Sequence, residues 1–304
     1  MKKILKGFSK LLAVLLIFSI TACTNKNVTM KDREGNEFKL PESIDRIIST
    51  APSNTEILVE LGLSDNLVLV DDYSVGIEGL KEDVETMDFF NLNAEEIIAK
   101  EPDLIVVSGF SVIGDEDPYK TFSDAGITVV YIPVSNTIND IYEDIIFMGN
   151  LTNKSDKANE IVDKMKSEVE AIKEIGNKIE NKKSVYFEIG SGGQLYTFGS
   201  GNFLNEMIEI VGAENVFKDQ EGWLAVSEEA VISSNPDVIL TNIPSYDGFN
   251  SVDDIKSRVG FENVNAILNG DVYGIDNDSS SRGTHKIVNG LKEMAKVIYP
   301  DEYK

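Results

Sequence analysis

The sequence predicts an α/β protein of two lobes, each with a mainly parallel sheet, joined by one long bridging α-helix, with a ligand cleft between the lobes. Three observations predict it. From Ser155 to Gly176, the residues Ile161, Val162, Met165, Val169, Ile172 and Ile175 recur at three- and four-residue steps among charges, the period of a single amphipathic helix. Short apolar runs alternate with helical patterns on both sides of that stretch, as a parallel sheet with covered faces requires. A block also repeats: Asn93 to Ile98 leads through Pro102-Asp103 into Leu104-Ile105-Val106, and Ser227 to Ile232 leads through Pro236-Asp237 into Val238-Ile239-Leu240. Each copy reads as a capped helix, a proline stop and a buried strand. Ile57 to Gly62 and Met207 to Gly212 form a second echo.

In chain order, residues 1–22 read as an export signal. Lys2, Lys3, Lys6 and Lys10 precede Leu11 to Ile20, a largely apolar run too short for a typical membrane span. Small residues then lead to Cys23, the only cysteine of the chain, and this segment resembles a lipobox, in which the cysteine is lipidated, the attached lipid carrying acyl chains such as palmitate. One cysteine makes no internal disulfide, and a lipid thioether gives it a role. Residues 23–43 are expected to be the acylated cysteine and a polar tether.

Residues 44–151 form the first predicted lobe, with strands at Arg46 to Thr50, Leu67 to Val70, Leu104 to Val107 and Thr128 to Ile132. Its helices are expected at Asn54 to Leu61, Asn93 to Lys100, Tyr119 to Ala125 and Ile138 to Met148. Residues 152–178 hold the bridging helix, about 30 Å long at ~1.5 Å per residue. Ser155 or Asp156 is expected to cap its start and Gly176 to end it. Residues 179–304 form the second lobe, with strands at Ser184 to Glu188, Val238 to Thr241 and Val272 to Ile275. Helices are expected there at Asn202 to Val211, Glu228 to Ser234 and Thr284 to Ile298. The loop Gly190 to Gly201 matches no phosphate-binding fingerprint and reads as a turn feeding the helix at Asn202.

Fifty-two acidic against 28 basic side chains give a formal charge of -24, which repels nucleic acid and favours a basic docking partner. No nucleophile and base pair stands out, and one histidine limits acid–base designs. Loops that follow strand ends should face the cleft. They carry Ser53, Asn54, Tyr73 and Phe110 in the first lobe, with Phe89 and Phe90 just before the Glu95 helix. In the second lobe they carry Tyr196, Tyr246 and Arg282, with Trp223 before the Glu229 helix. Aromatic walls with a few polar hooks suit large planar ligands.

Arg46-Ile47-Ile48-Ser49, Ala51 to Glu56, the two Pro-Asp strands, Gly212 to Val216 and Ser281-Arg282-Gly283 are together similar to the extracytoplasmic substrate-binding proteins of ABC importers. The branch they resemble binds ferric siderophores, cobalamin and haem, and the likeness runs from about Ile44 to Tyr299. It implies a monomeric, non-enzymatic lipoprotein on the outer face of the cell membrane, working with a permease and its ATPase. It implies no intrinsic cofactor and no metal held by the protein itself, and a metal chelate as cargo; because the other arginines, Arg33, Arg46 and Arg258, are not placed for the cleft, a hydroxamate-like ferric siderophore or cobalamin fits better than a highly anionic catecholate. It gives Glu95 and Glu229 the role of docking onto permease arginines, whereas acids in a helix's first turn otherwise answer only the helix dipole. Tyr73 and Trp223 stand near positions where the family places ligand-contacting aromatics. Arg282, with Lys286 as a weaker second fork, would hydrogen-bond a ligand carboxylate or catecholate. A haem receptor, for which Met87 and His285 are the tempting pair, remains an alternative, as does a surface enzyme or adhesin on the same scaffold.

Overall fold

Ile47, Ile48 and Leu104 to Val107 are apolar at every position, a pattern that only a strand covered on both faces satisfies, and they lie at the centre of the first sheet. The computed structural model describes residues 29–89, 91–109, 117–192 and 194–304. The signal and lipidation readings at residues 1–22 and Cys23 fall outside them.

The first lobe runs β1 (Thr29–Lys31), β2 (Glu37–Lys39), β3 (Ile47–Ser49), α1 (Pro52–Glu60), β4 (Leu67–Asp71), β5 (Glu85–Met87), α2 (Ala94–Ala99), β6 (Leu104–Ser108), α3 (Lys120–Asp124), β7 (Thr128–Ile132) and α4 (Ile138–Leu151). Five parallel strands lie in the order β5-β4-β3-β6-β7. The stretch read as tether is corrected from Thr29 onward: β1 and β2 pair as an antiparallel hairpin. Asp32 ties that hairpin to the lobe by accepting from the Tyr131 backbone N–H at 3.0 Å, and Arg33 reaches Asp144 at 2.6 Å. A polar composition hid this because the hairpin is held by hydrogen bonds and ion pairs more than by apolar burial.

The bridging helix, α5 (Ser155–Gly176), has the predicted limits, but its ends are made differently. No side chain caps its start. Gly176 is not a left-handed stop; a Cβ there would overlap the Ile210 carbonyl and crowd the Gly212 nitrogen. At the other end, a Cβ on Gly149 of α4 would overlap that of Ala158. Glycine thus allows close approach to each lobe at each end of the rod. One continuous core runs along α5, joining Ile141, Ile145 and Met148 to Met207, Leu291 and Met294 through Ile161, Met165 and Ile172.

The second lobe runs β8 (Ser184–Glu188), β9 (Gly190–Ser191), β10 (Leu195–Phe198), α6 (Phe203–Ile210), β11 (Glu214–Asn215), β12 (Trp223–Val226), α7 (Glu228–Ser234), β13 (Val238–Thr241), α8 (Ser251–Lys256), α9 (Asn265–Asn269), β14 (Val272–Gly274), α10 (Asn277–Ser281) and α11 (Ile287–Ile298). A parallel sheet β11-β8-β13-β14 is joined by an antiparallel one, β12-β10-β9. The glycine-rich loop is therefore more than a turn: its second half is β10, which pairs Phe198 with Trp223. The last helix begins at Ile287 rather than Thr284, after the short α10.

The repeated block is a repeat of hydrogen bonds as well as of letters. Asn93 accepts from Glu96 N and Ser227 from Ala230 N, capping α2 and α7. Both helices are followed by a left-handed residue, Glu101 (φ 48°) and Asn235 (φ 44°), ahead of the proline. The aspartate after each proline then binds the start of the neighbouring strand: Asp103 accepts from Arg46 N, and Asp237 from Ser184 N, both at 2.9 Å.

Candidate functional site: a cleft between the lobes

The carboxyl ends of the parallel strands of both sheets open onto one cleft of about 510 Å³. From the first lobe come Thr50 to Asn54 after β3, Tyr73 after β4, Phe89 after β5, and Ile132 to Ser135 after β7. From the second come Ile189, Phe203, Trp223, Asn242 and the segment Ser280 to Gly283. Of the residues singled out from the sequence, the structure brings Ser53, Asn54, Tyr73, Phe89, Trp223 and Arg282 together here. Phe90 and Phe110 lie outside the described residues.

Tyr196 and Tyr246 are not among the described residues that line this cleft. Tyr196 pairs with Ala225 on β12 and packs over Gly190, one strand away from the Trp223 end. Tyr246 stacks on Phe249, 5.0 Å between centroids, in a separate loop depression beyond the strand end, and chain order alone does not separate the two. Met87 and His285, the tempting haem pair, do not line the cleft either. His285 lies in a second cavity beside α1, its Nε2 3.7 Å from Glu60.

The aromatic residues line the cleft from opposite lobes. Tyr73, 64% exposed, leans on Phe89 at 6.1 Å, and Trp223, 53% exposed, meets Phe198 edge-on at 6.2 Å. Exposed aromatics of this size have surface to give to a ligand. Asn54, which lines the cleft, is 1% exposed, and its Nδ2 donor has no hydrogen-bond partner. An unsatisfied buried amide costs about 1–3 kcal/mol, which a ligand acceptor would recover.

Charge in the cleft is compensated by protein partners. Arg282 stands 2.8 Å from Asp278 and 3.6 Å from Glu56, so the guanidinium expected to meet a ligand acid is already engaged. Lys286, the expected second fork, lies 2.9 Å from the same Glu56. Asp144 on α4, which the sequence reading passed over, lines the cleft and is 1% exposed. Its carboxylate accepts from Arg33 Nε at 2.6 Å and Ser135 Oγ at 2.8 Å. Burial raises its pKa, and Arg33 and Ser135 act against that rise. A signal for Asp144 was present: it sits at helical spacing from Ile141 and Met148, an acid on an apolar face.

Two carboxylates also cross between the lobes beside the cleft. Glu56 of α1 accepts from the Thr284 hydroxyl at 2.5 Å, and Glu206 of α6 accepts from Ile138 N at 2.8 Å, at the start of α4. Glu95 and Glu229 are exposed in the first turns of α2 and α7. Each follows a cleft aromatic, Phe89 or Trp223, by six residues, so matching elements carry them past the cleft in both lobes. Hydrogen bonds from its own backbone N–H and from Ser227 hold the Glu229 carboxyl below its ordinary pKa.

Comparison with known proteins agrees with this architecture. Residues 47–279 match the family model described as periplasmic binding protein. The chain is 33% identical over 279 residues to YvrC, an ABC transporter substrate-binding lipoprotein of Bacillus subtilis, covering 91% of this chain and 87% of the relative. It is 25% identical over 252 residues to a vitamin B12-binding protein of Vibrio campbellii, covering 83% and 88%. A crystal structure from Staphylococcus epidermidis, described as a possible iron-binding, periplasmic solute-binding protein, superposes with a TM-score of 0.74 at 34% identity, covering 85% of this chain and all of that one. With two α/β lobes, a shared helix and a cleft at their strand ends, this chain belongs to the periplasmic binding protein family of ABC-importer substrate-binding proteins.

Proposed function

We propose that this protein is a membrane-anchored, non-enzymatic receptor that captures a metal chelate between its lobes and delivers it to an ABC permease. The cargo is an uncharged or weakly charged chelate, a hydroxamate-type ferric siderophore or a corrinoid. The observation that carries this reading is the cleft's make-up: aromatic faces from both lobes, one orphaned amide donor at Asn54, and charged groups matched by protein partners. A chelate with apolar faces and amide or carbonyl groups at its edge answers each of these features. A ligand bearing several anionic groups would find its natural partner, Arg282, already taken.

Cys23 serves as the lipidated anchor and Glu95 and Glu229 as the docking acids for basic permease residues. Closure around cargo is small, because α5 and the Glu56 and Glu206 contacts hold the lobes together. The test is calorimetric titration of the chain lacking residues 1–23 with a ferric hydroxamate, cyanocobalamin, a ferric catecholate and haem. Saturable one-to-one binding of a hydroxamate or corrinoid supports the reading. Binding of haem or the catecholate alone would replace the ligand class, and silence across the panel would reject the chelate receptor.

A further inference from the structure

Arg282 is the only guanidinium among the described residues lining the cleft, and an unengaged guanidinium there would attract anions. It is engaged on two sides. Nη2 lies 2.8 Å from Asp278, four residues back in α10, and Nη1 lies 3.6 Å from Glu56 of the opposite lobe. Glu56 is 2% exposed and also holds Lys286 at 2.9 Å. Asp71, fully buried at the end of β4, adds a third carboxyl group; burial raises its pKa, and Ser74, the Tyr73 backbone N–H and Arg282 act against that rise. Arg282 and Lys286 thus pair with the carboxylates of Glu56 and Asp278, with Asp71 buried nearby. Across the cleft, Asp144 is answered by Arg33, which also pairs with Glu143 at 2.8 Å. The formal balance around the cleft is negative, inside a chain whose net charge is -24.

We propose that Glu56 and Asp278 set the charge selectivity of the cleft. They are positioning residues that neutralise Arg282, so that it acts as a hydrogen-bond donor to carbonyl-type acceptors and the cleft discriminates against anionic chelates. The inference rests on the chelate-receptor reading. Glu56 lies in the first lobe and Arg282 in the second, so selectivity is built across the interface rather than within one lobe. Removing one carboxylate leaves a unit of positive charge uncompensated beside the ligand, in a partly desolvated site where screening is weak.

The test uses chelates matched in shape and differing in charge. Ferric desferrioxamine B is a cation, its N-acetyl form is neutral and its N-succinyl form is an anion; cyanocobalamin and its monocarboxylate, made by hydrolysing one peripheral amide, form a second pair. In the native chain the anionic member of each series has a higher Kd than the neutral member, and the cationic member binds no more weakly than the neutral one. Asp278→Asn, at a half-exposed side chain, brings the anion's Kd toward the neutral one's by about three- to tenfold, and added salt shrinks the change. Glu56→Gln, checked for folding by circular dichroism, acts in the same direction. If the neutral form binds but the ratio stays constant in both variants, the charge-selectivity inference alone is overturned. A native preference for the anion overturns it too. If the native chain binds no member of either series, the receptor reading for these chelates falls and takes the inference with it.

Discussion

Replacing Trp223 with alanine removes the largest exposed surface on the second lobe's side of the cleft. Trp223 is 53% exposed. Of the ~150–250 Å² that a large aromatic can bury, roughly 100 Å² is left for a ligand. At ~25 cal/mol/Å² that surface is worth about 2.5 kcal/mol, so full cover predicts about a 60-fold rise in Kd on truncation, and half cover about eightfold. The fold should survive, since the lost edge-on contact with Phe198 is worth ~0.5–1.5 kcal/mol. Calorimetry on the chain lacking residues 1–23 measures the change, with Tyr246→Ala as the comparison because Tyr246 is 70% exposed yet lies in a separate depression. Trp223→Ala binding as tightly as the native chain, with Tyr246→Ala weakened, would refute the assignment of the cleft.

Gly176→Ala should destabilise the protein by about 1–3 kcal/mol in denaturant titration, because its Cβ meets the Ile210 carbonyl; an isolated helix would gain about 1 kcal/mol from the same change, so the sign is diagnostic. The sole histidine gives one NMR titration: burial lowers the pKa of His285 from 6.5 despite the opposing pull of Glu60 and Glu56. The unfolded chain then binds more protons just below pH 6.5, stability falls as pH drops through that value, and His285→Gln removes that slope. Charge reversal of Glu95 and Glu229 together should abolish permease-dependent uptake in proteoliposomes while the chelate Kd keeps its native value; unaltered uptake would reject the docking role.

The parallel sheets and the bridging helix were legible because burial on both faces, or on one helical stripe, writes a period into the sequence. Leu104 to Ser108 and Ser155 to Gly176 show this most directly. The Pro-Asp repeat was legible as letters, but its reason, an aspartate closing the start of the next strand, appears only when Asp103 meets Arg46 and Asp237 meets Ser184. The hairpin at Thr29 to Lys39 was not legible, since exposed three-residue strands have little periodicity and their ties are single long-range bonds such as Arg33 to Asp144. The same holds for the cleft. Loop position found Asn54, Tyr73 and Trp223, whereas Asp144 enters from a helix. The neutralisation of Arg282 depends on Glu56, 226 residues away in sequence.

Anomalous scattering from crystals of the chain lacking residues 1–23 with its chelate, collected at the iron or cobalt edge, locates the cargo without reference to any mutation. One strong peak is expected between the lobes, bounded by Tyr73 and Trp223 and near the Asn54 amide. A single peak in the loop depression at Tyr246, in the cavity beside His285, or on an outer surface of either lobe would contradict the capture of a metal chelate in this cleft.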